Sequence, residues 1–274
     1  MTDNYVIDDT RERVICSLVD TGQHVLISGQ AGSGKTTLGI VVANRLGRPY
    51  TVVNCGSTQD ARSALLGNYK LESGNTSFVI SDFLKAIQIP NNVIVLDEFS
   101  RCSDGAFNIL LPVLDFRQSI FVEELNQEFH IADGVRFIAT ANVGPEFSAT
   151  RAIDRAVLDR FRQFHVKYIS GKELESYIRA EVGGFPDGMD MIMKVYDFVN
   201  EQYNTGGLDV GLSPRTVLGC LSLFDAGFNV QEVFENVILS TFQLDSSMQD
   251  DVRRVREHGD TVGIFNTQQA NVTF

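Results

Sequence analysis

The sequence predicts an α/β fold, a parallel sheet with helices on both faces, followed by a smaller all-helical domain. Three observations predict it. Over the first two-thirds of the 274 residues, short apolar runs alternate with helix-length segments, and strands separated by helices pair in parallel. The run Val93, Ile94, Val95, Leu96 is unbroken rather than alternating, as a strand buried on both faces should be. Beyond residue 168 strand-like runs give way to helical spacing.

In chain order, residues 8–20 read as a helix and 24–28 as a strand that ends at a glycine-rich turn. A helix over 35–46 follows, then strands over 50–54, 93–96, 136–141 and 164–168. Between the third and fourth strands, two short pieces, 120–122 and 128–131, flank a polar turn near Asn126, so residues 119–131 are expected to form a hairpin. Helices are expected over 171–181, 189–202, 213–224, 230–243 and 248–258, and the polar tail 259–274 is expected to be loosely held. The reading gives an α/β core over 1–167 and a helical lid domain over 168–274.

Composition narrows the function classes. Hydrophobic residues make up 43% and charged residues 21%, as in a globular chain with a real core. No apolar run reaches the ~18 residues that a membrane span needs, and residues 1–10 lack the basic end and apolar stretch of a signal peptide. Cys16, Cys55, Cys102 and Cys220 lie far apart without a C-x-x-C pair, which fits a reduced, cytoplasmic setting. His24, His130, His165 and His258 show no metal-ligand spacing. A net charge of −12 argues against a broad grip on nucleic acid, which needs clustered Lys and Arg.

Gly29, Gln30, Ala31, Gly32, Ser33, Gly34, Lys35 and Thr36 match G-x-x-x-x-G-K-[ST], with a strand before and a helix after. The physics is direct: glycines let the chain curl so that backbone N–H groups point at phosphate oxygens. Lys35 then puts its charge on the β and γ phosphates, and the Thr36 hydroxyl is a hard ligand suited to Mg²⁺. About 60 residues downstream, the apolar run 93–96 carries Asp97 and Glu98 to the carboxyl edge of the sheet, where ligands sit in open α/β folds. Asp97 would hold Mg²⁺ through its water shell, and Glu98 would orient and polarise an attacking water. A helix cap after an ordinary strand is the plainer reading of that acidic pair.

Asn142 ends another buried run, Phe137 to Ala141, and its amide can hold the attacking water or sense the γ phosphate; the plainer reading is a turn former before Gly144 and Pro145. Residues 151–161 read as a short amphipathic helix with Ala152, Ala156 and Val157 toward the core. At its end Arg160 could reach a neighbouring copy's γ phosphate as an arginine finger, with Arg155 in reserve; the plainer reading is a cation at a helix C-terminus. Leu212, Ser213, Pro214 and Arg215 read as a helix start, with Ser213 as N-cap and Pro214 in the first turn. Arg215 then sits near the positive end of a helix dipole, where it wants an anion such as a nucleotide phosphate.

These motifs, in this order, resemble the AAA+ superfamily of P-loop NTPases, and within it the MoxR-like branch with its CbbQ/NorQ and dynein-related groups. The resemblance rests on residues 32–37 (Gly-Ser-Gly-Lys-Thr-Thr), 96–101 (Leu-Asp-Glu-Phe-Ser-Arg), 139–142 (Ala-Thr-Ala-Asn) with 158–161 (Leu-Asp-Arg-Phe), and 213–215 (Ser-Pro-Arg), and it covers about residues 8–245. It implies a three-layer αβα core with sheet order 5-1-4-3-2, a helical lid, ATP and Mg²⁺ as cofactors, and usually a hexamer. It makes Asn142 sensor 1, Arg160 the finger and Arg215 sensor 2, and it brings Thr37 into the phosphate site. It also implies an insert in the second helix, matched by residues 69–79, and a hairpin before sensor 1, matched by 119–131. Phe78, Phe121 and His130 are candidate substrate contacts on these, or simply hairpin packing. The family often has Asp-Glu-Ile-Asn-Arg where this chain has Asp-Glu-Phe-Ser-Arg; Arg101 is kept, and a role across a subunit interface stays open. Pro112 is expected to interrupt or kink the helix after the acidic pair.

The resemblance implies an ATP-hydrolysing motor that remodels a partner protein, commonly one of von Willebrand factor A type. A nucleic-acid motor of the sister McrB-like kind, an ATP-gated switch that does not hydrolyse, and a small-molecule kinase are the alternatives. No motif marks the base pocket, though residues 5–7 could line it.

Overall fold

The computed structural model describes residues 9–56, 60–72, 75–142, 155–243 and 248–265. They divide into two compact units: residues 9–30 with 34–166, and residues 31–33 with 167–265.

The first unit begins with α1 (Asp9–Asp20), β1 (His24–Gly29), α2 (Lys35–Arg45), β2 (Tyr50–Asn54) and α3 (Ala61–Leu65). A hairpin of β3 (Gly67–Glu72) and β4 (Asn75–Ile80) precedes α4 (Asp82–Ala86) and β5 (Val93–Asp97). A 3₁₀ turn over Phe99–Arg101 and α5 (Asp104–Leu114) lead to the hairpin β6 (Ser119–Val122) and β7 (Gln127–His130). Then come β8 (Arg136–Asn142), α6 (Arg155–Leu158) and β9 (Phe161–Val166). Five strands form one sheet in the order β2-β5-β8-β1-β9, and every pairing in it is parallel. This is the 5-1-4-3-2 order that the resemblance implies.

Alternation along the strands explains the layers. Leu26, Ile94, Leu96, Phe137 and Ala139 are buried in one cluster with residues of α3, α4 and α5. The residues between them, Val25, Ile27, Val93, Val95 and Ile138, are buried with residues of α1 and α2. Both faces are thus covered, as a parallel sheet requires.

Three expectations for this unit need correction. The fifth strand is Phe161–Val166 rather than 164–168. It is an edge strand paired only to β1, so Arg162, Gln163 and His165 can stay polar while Phe161 is buried opposite His24. Polar side chains on an open edge hide a strand from any search for apolar runs. Around Arg160 only Arg155–Leu158 is helical among the described residues; Val157 is buried as expected, but Ala156 is exposed, and Ala152 lies outside the described residues. Pro112 does not interrupt α5, which runs on to Leu114; it costs the bond its N–H would have made to the Asn108 carbonyl, but so near the C-terminal end little helix lies beyond it to be disturbed. The expected hairpin is present, with its turn at Asn126 in the left-handed region at φ 48, and the insert is the β3–β4 hairpin.

The second unit packs α7 (Gly171–Val182), α8 (Met189–Asn204), α9 (Pro214–Asp225), α10 (Val230–Val233) and α11 (Gln249–Thr261) around Tyr196, Phe234 and Phe242. Its helix starts carry their own signals. Ser170 with Glu173 and Asn229 with Glu232 form capping boxes, and Ser213 caps α9 ahead of Pro214. The helix expected over 230–243 is a short α-helix and then a six-residue π-helical stretch, Phe234–Leu239. Its wider turn lets Phe234, Ile238 and Leu239 all be buried. The tail is not loose from residue 259: Ile264 is fully buried, and Phe265 meets Phe234 edge to face at 5.7 Å. Residues 266–274 lie outside the described residues. No described helix is long and apolar enough to cross a membrane.

Candidate functional site

The phosphate loop leaves β1 at Gly29 and enters α2 at Lys35. Gly32 at φ 75 and Gly34 at φ 80 are left-handed, which glycine adopts without steric penalty. Such torsions are what a phosphate-binding loop uses to turn successive N–H groups toward one anion, and the loop leads into the N-terminus of an eleven-residue helix. Lys35 is only 7% exposed, and its ammonium donates to the carbonyls of Gly29 (3.1 Å) and Gln30 (2.6 Å). Those bonds hold the loop's entry against its exit. The Gln30 Oε1 is buried without a hydrogen-bond partner among the described residues. Thr37 is exposed one residue beyond Thr36.

β5 brings the two carboxylates to this loop. The Thr36 hydroxyl donates to Asp97 Oδ1 at 2.6 Å. Glu98 follows in the left-handed region at φ 53 and ψ 38, a position that costs a non-glycine residue free energy and so needs outside support. Its carboxylate is about one-third exposed (32%) and lies 3.4 Å from the Arg101 guanidinium. β8 places Asn142 in register with Gly29, at the same carboxyl edge.

Two residues of this cluster are given no role by the sequence reading, although one of them, Thr140, lies in the 139–142 match. Thr140, 2% exposed, donates to Asp97 Oδ1 at 2.7 Å and accepts from the Glu98 N–H at 3.1 Å. A lone hydroxyl in the run Phe137 to Ala141, two positions before Asn142 and therefore on the same side of the strand, is the signal that could have found it. Gly56 follows β2, and a Cβ there would lie 2.1 Å from Glu98 Oε2. A glycine two residues after a strand end looks like an ordinary turn, so no sequence signal marks it.

Arg160 is not gathered with the loop and the acids. It sits in the turn before β9, where it donates to the carbonyl of Ala156 and lies 3.9 Å from Asp115. Asp115 is held below the usual carboxylate range, first by its hydrogen bond with Arg117 and further by the charge of Arg160. Arg155 is exposed on α6. Arg215 lies in the helical unit in the first turn of α9, exposed, and makes no ion pair with a described residue. Of the hairpin candidates, Phe78 packs on Tyr69 at 5.3 Å, while Phe121 and His130 are exposed. Residues 5–7 lie outside the described residues.

A parallel sheet in this order, with a phosphate loop after its first strand and an acidic pair at the end of the strand two places away, across β8, defines a P-loop nucleotide-binding protein. The chain belongs to the AAA domain family, dynein-related subfamily, whose model matches residues 24–161. It is 30% identical over 210 residues to "Putative chaperone BssE" of Thauera aromatica, covering 76% of this chain and 72% of that protein. It is also 30% identical over 208 residues to an uncharacterized protein of Staphylococcus saprophyticus, covering 74% and 76%. Among solved structures, a RuvB mutant of Thermotoga maritima superposes with a TM-score of 0.53 at 14% identity, covering 89% of this chain and 73% of that one. At that identity the likeness speaks for the fold alone.

Proposed function

We propose that this chain is a Mg²⁺-dependent ATPase that works as a ring of copies, most simply a hexamer, and uses hydrolysis to remodel or activate a partner protein. The observation that carries the reading is the meeting, at one sheet edge, of the phosphate loop, the 2.6 Å Thr36–Asp97 bond and the strained Glu98. The donor set fits Mg²⁺ with ATP: Thr36 and Asp97 offer hard oxygens. When bound, the cation would neutralise the charge that builds on the phosphates.

In this reading the backbone of Gly29, Gln30, Ala31, Gly32, Ser33 and Gly34 cradles the phosphates, with Thr37 at the helical end. Lys35, steadied by two loop carbonyls, carries charge on the β and γ phosphates. Glu98 orients and polarises the attacking water, and Asn142 holds that water or senses the γ phosphate. Arg160 leaves Asp115 to serve a neighbouring copy's site, with Arg155 and Arg101 as reserves, and Arg215 reports phosphate to a lid over 168–274. The name of the Thauera relative supports a protein substrate, and a von Willebrand factor A-type partner follows from the MoxR-like resemblance. The net charge of −12 speaks against nucleic acid, and the four free cysteines suit a reduced cytoplasm.

Steady-state ATPase activity against protein concentration tests this. Activity per chain should rise with concentration, because the finger comes from a neighbour. Arg160→Ala should be inactive alone and regain turnover when mixed with Lys35→Ala. Concentration-independent activity that ignores Arg160 would replace the ring with a monomeric P-loop enzyme.

A further inference from the structure

We propose that Thr140 is a positioning residue for hydrolysis: its single hydroxyl ties the carboxylate of Asp97 to the backbone of Glu98 and sets the two acids as one unit. The proposal rests on the ATPase reading and adds to it a residue that acts through Asp97 and Glu98.

The bond directions are fixed by chemistry. A carboxylate oxygen can only accept, so Thr140 donates its one proton to Asp97 Oδ1 at 2.7 Å. A backbone N–H can only donate, so the Thr140 oxygen accepts from Glu98 at 3.1 Å. The hydroxyl is buried in an otherwise apolar strand interior, where an unsatisfied one would be costly. Both of its bonds go to the acidic pair. Register explains how: Leu96 pairs with Ala139, so Thr140 stands one step beyond, beside Asp97.

Two consequences follow. Asp97 Oδ1 receives two hydroxyl protons, from Thr36 at 2.6 Å and from Thr140, which leaves Oδ2, without a hydrogen bond among the described residues, as the oxygen to meet a cation's water shell. Glu98 is pinned in the left-handed region by its own N–H, and that backbone angle determines where its carboxylate starts from. Thr140 therefore couples the metal side of the site to the water side.

The test compares Thr140→Val, which keeps the β-branched shape and loses the hydroxyl, with Thr140→Ser, which keeps the hydroxyl. Thr140→Ala serves as a second hydroxyl-free variant should valine fail to fold. Outer-shell partners of this kind typically contribute about 10- to 100-fold to activity or metal affinity. Thr140→Val should lose kcat by that factor, while its Kd for a fluorescent ATP analogue stays within about twofold. The Mg²⁺ concentration for half-maximal rate should rise, and Thr140→Ser should restore both kcat and that concentration. In the nucleotide-free protein, amide exchange at Glu98 followed by NMR should speed up in Thr140→Val and not in Thr140→Ser. Native kcat and native Glu98 exchange in Thr140→Val would overturn the proposal, as would a Thr140→Ser variant as impaired as valine. A native chain that binds ATP without turnover would overturn the ATPase reading and this proposal with it; an active native chain with an unimpaired Thr140→Val overturns the proposal alone.

Discussion

The two edges of the same sheet treat polar groups in opposite ways. At the amino edge they are closed off. Asn92 is fully buried, and its side-chain nitrogen donates to Thr51 (3.1 Å) and to the Ala86 carbonyl (3.0 Å) while its main-chain carbonyl receives the Arg136 N–H; only its Oδ1 has no hydrogen-bond partner among the described residues. His24 accepts the Phe137 N–H at 3.2 Å and has the rings of Phe137 and Phe161 at 5.1 and 6.1 Å. At the carboxyl edge the bonds run among Thr36, Asp97, Thr140 and Glu98 themselves, while the Glu98 carboxylate stays partly open. One edge uses polar groups to end strands; the other holds them ready. Substitutions at the first should therefore cost stability, and substitutions at the second should cost turnover.

The largest effect should come from Glu98→Gln at the open edge. It keeps shape and removes the charge that polarises water, so kcat should fall by about 100-fold or more with ATP binding kept. Equilibrium unfolding in urea alongside the rate assay checks that stability is unmoved. A matching loss of stability would mean that Glu98 is structural and the contrast between the edges false.

At the closed edge, Asn92→Leu removes two hydrogen bonds and leaves the Ala86 carbonyl and the Thr51 hydroxyl short of a donor. The expected cost is about 2–3 kcal/mol of stability, read as a lower urea midpoint, with kcat per folded molecule unchanged. A turnover defect at full folding would break the comparison from this side.

His24 sharpens it through pH. Burial, and secondarily the charge of Arg136, push its imidazole down from 6.5 to about 4. Between those values the unfolded chain takes up a proton that the folded chain refuses, so stability is highest above pH 6.5 and falls as pH drops toward 4. Between pH 7 and pH 5 the loss should be about 2 kcal/mol. His24→Gln, which keeps an acceptor for Phe137, should flatten that slope in urea titrations. An unchanged slope would assign the proton to another group.

The contrast also explains what could be read in the chain. The phosphate loop and acidic pair are legible because transferring a phosphate demands given residue types at given spacings, and the flanking apolar runs announce the strands that carry them. Thr140 and Gly56 are not, because their meaning depends on which strand lies beside which. A hydroxyl in an apolar run reads as filler until Asp97 is found next to it. The start of β9 is hidden for a related reason: an edge strand need not be apolar, so Arg162 and Gln163 conceal it. The tie between Arg160 and Asp115 joins distant segments and carries no local pattern. Sheet order came only through the family resemblance.

The smallest effect separates the edges most finely. Gly56 belongs to the open edge, yet it has no side chain to do chemistry. A methyl group there would lie 2.1 Å from Glu98 Oε2 and 3.2 Å from Glu98 Cβ. The nearest atom is the far end of a flexible side chain, so Gly56→Ala should fold normally by swinging the carboxylate away. A displaced base loses rate without losing its charge, and about 10-fold in kcat is expected, with the urea midpoint close to native. Pairing it with Glu98→Gln decides the cause. If glycine matters only by leaving room for that carboxylate, Gly56→Ala should add nothing to a chain that already lacks it. An additive loss in the double variant would mean that Gly56 acts on the site by another route.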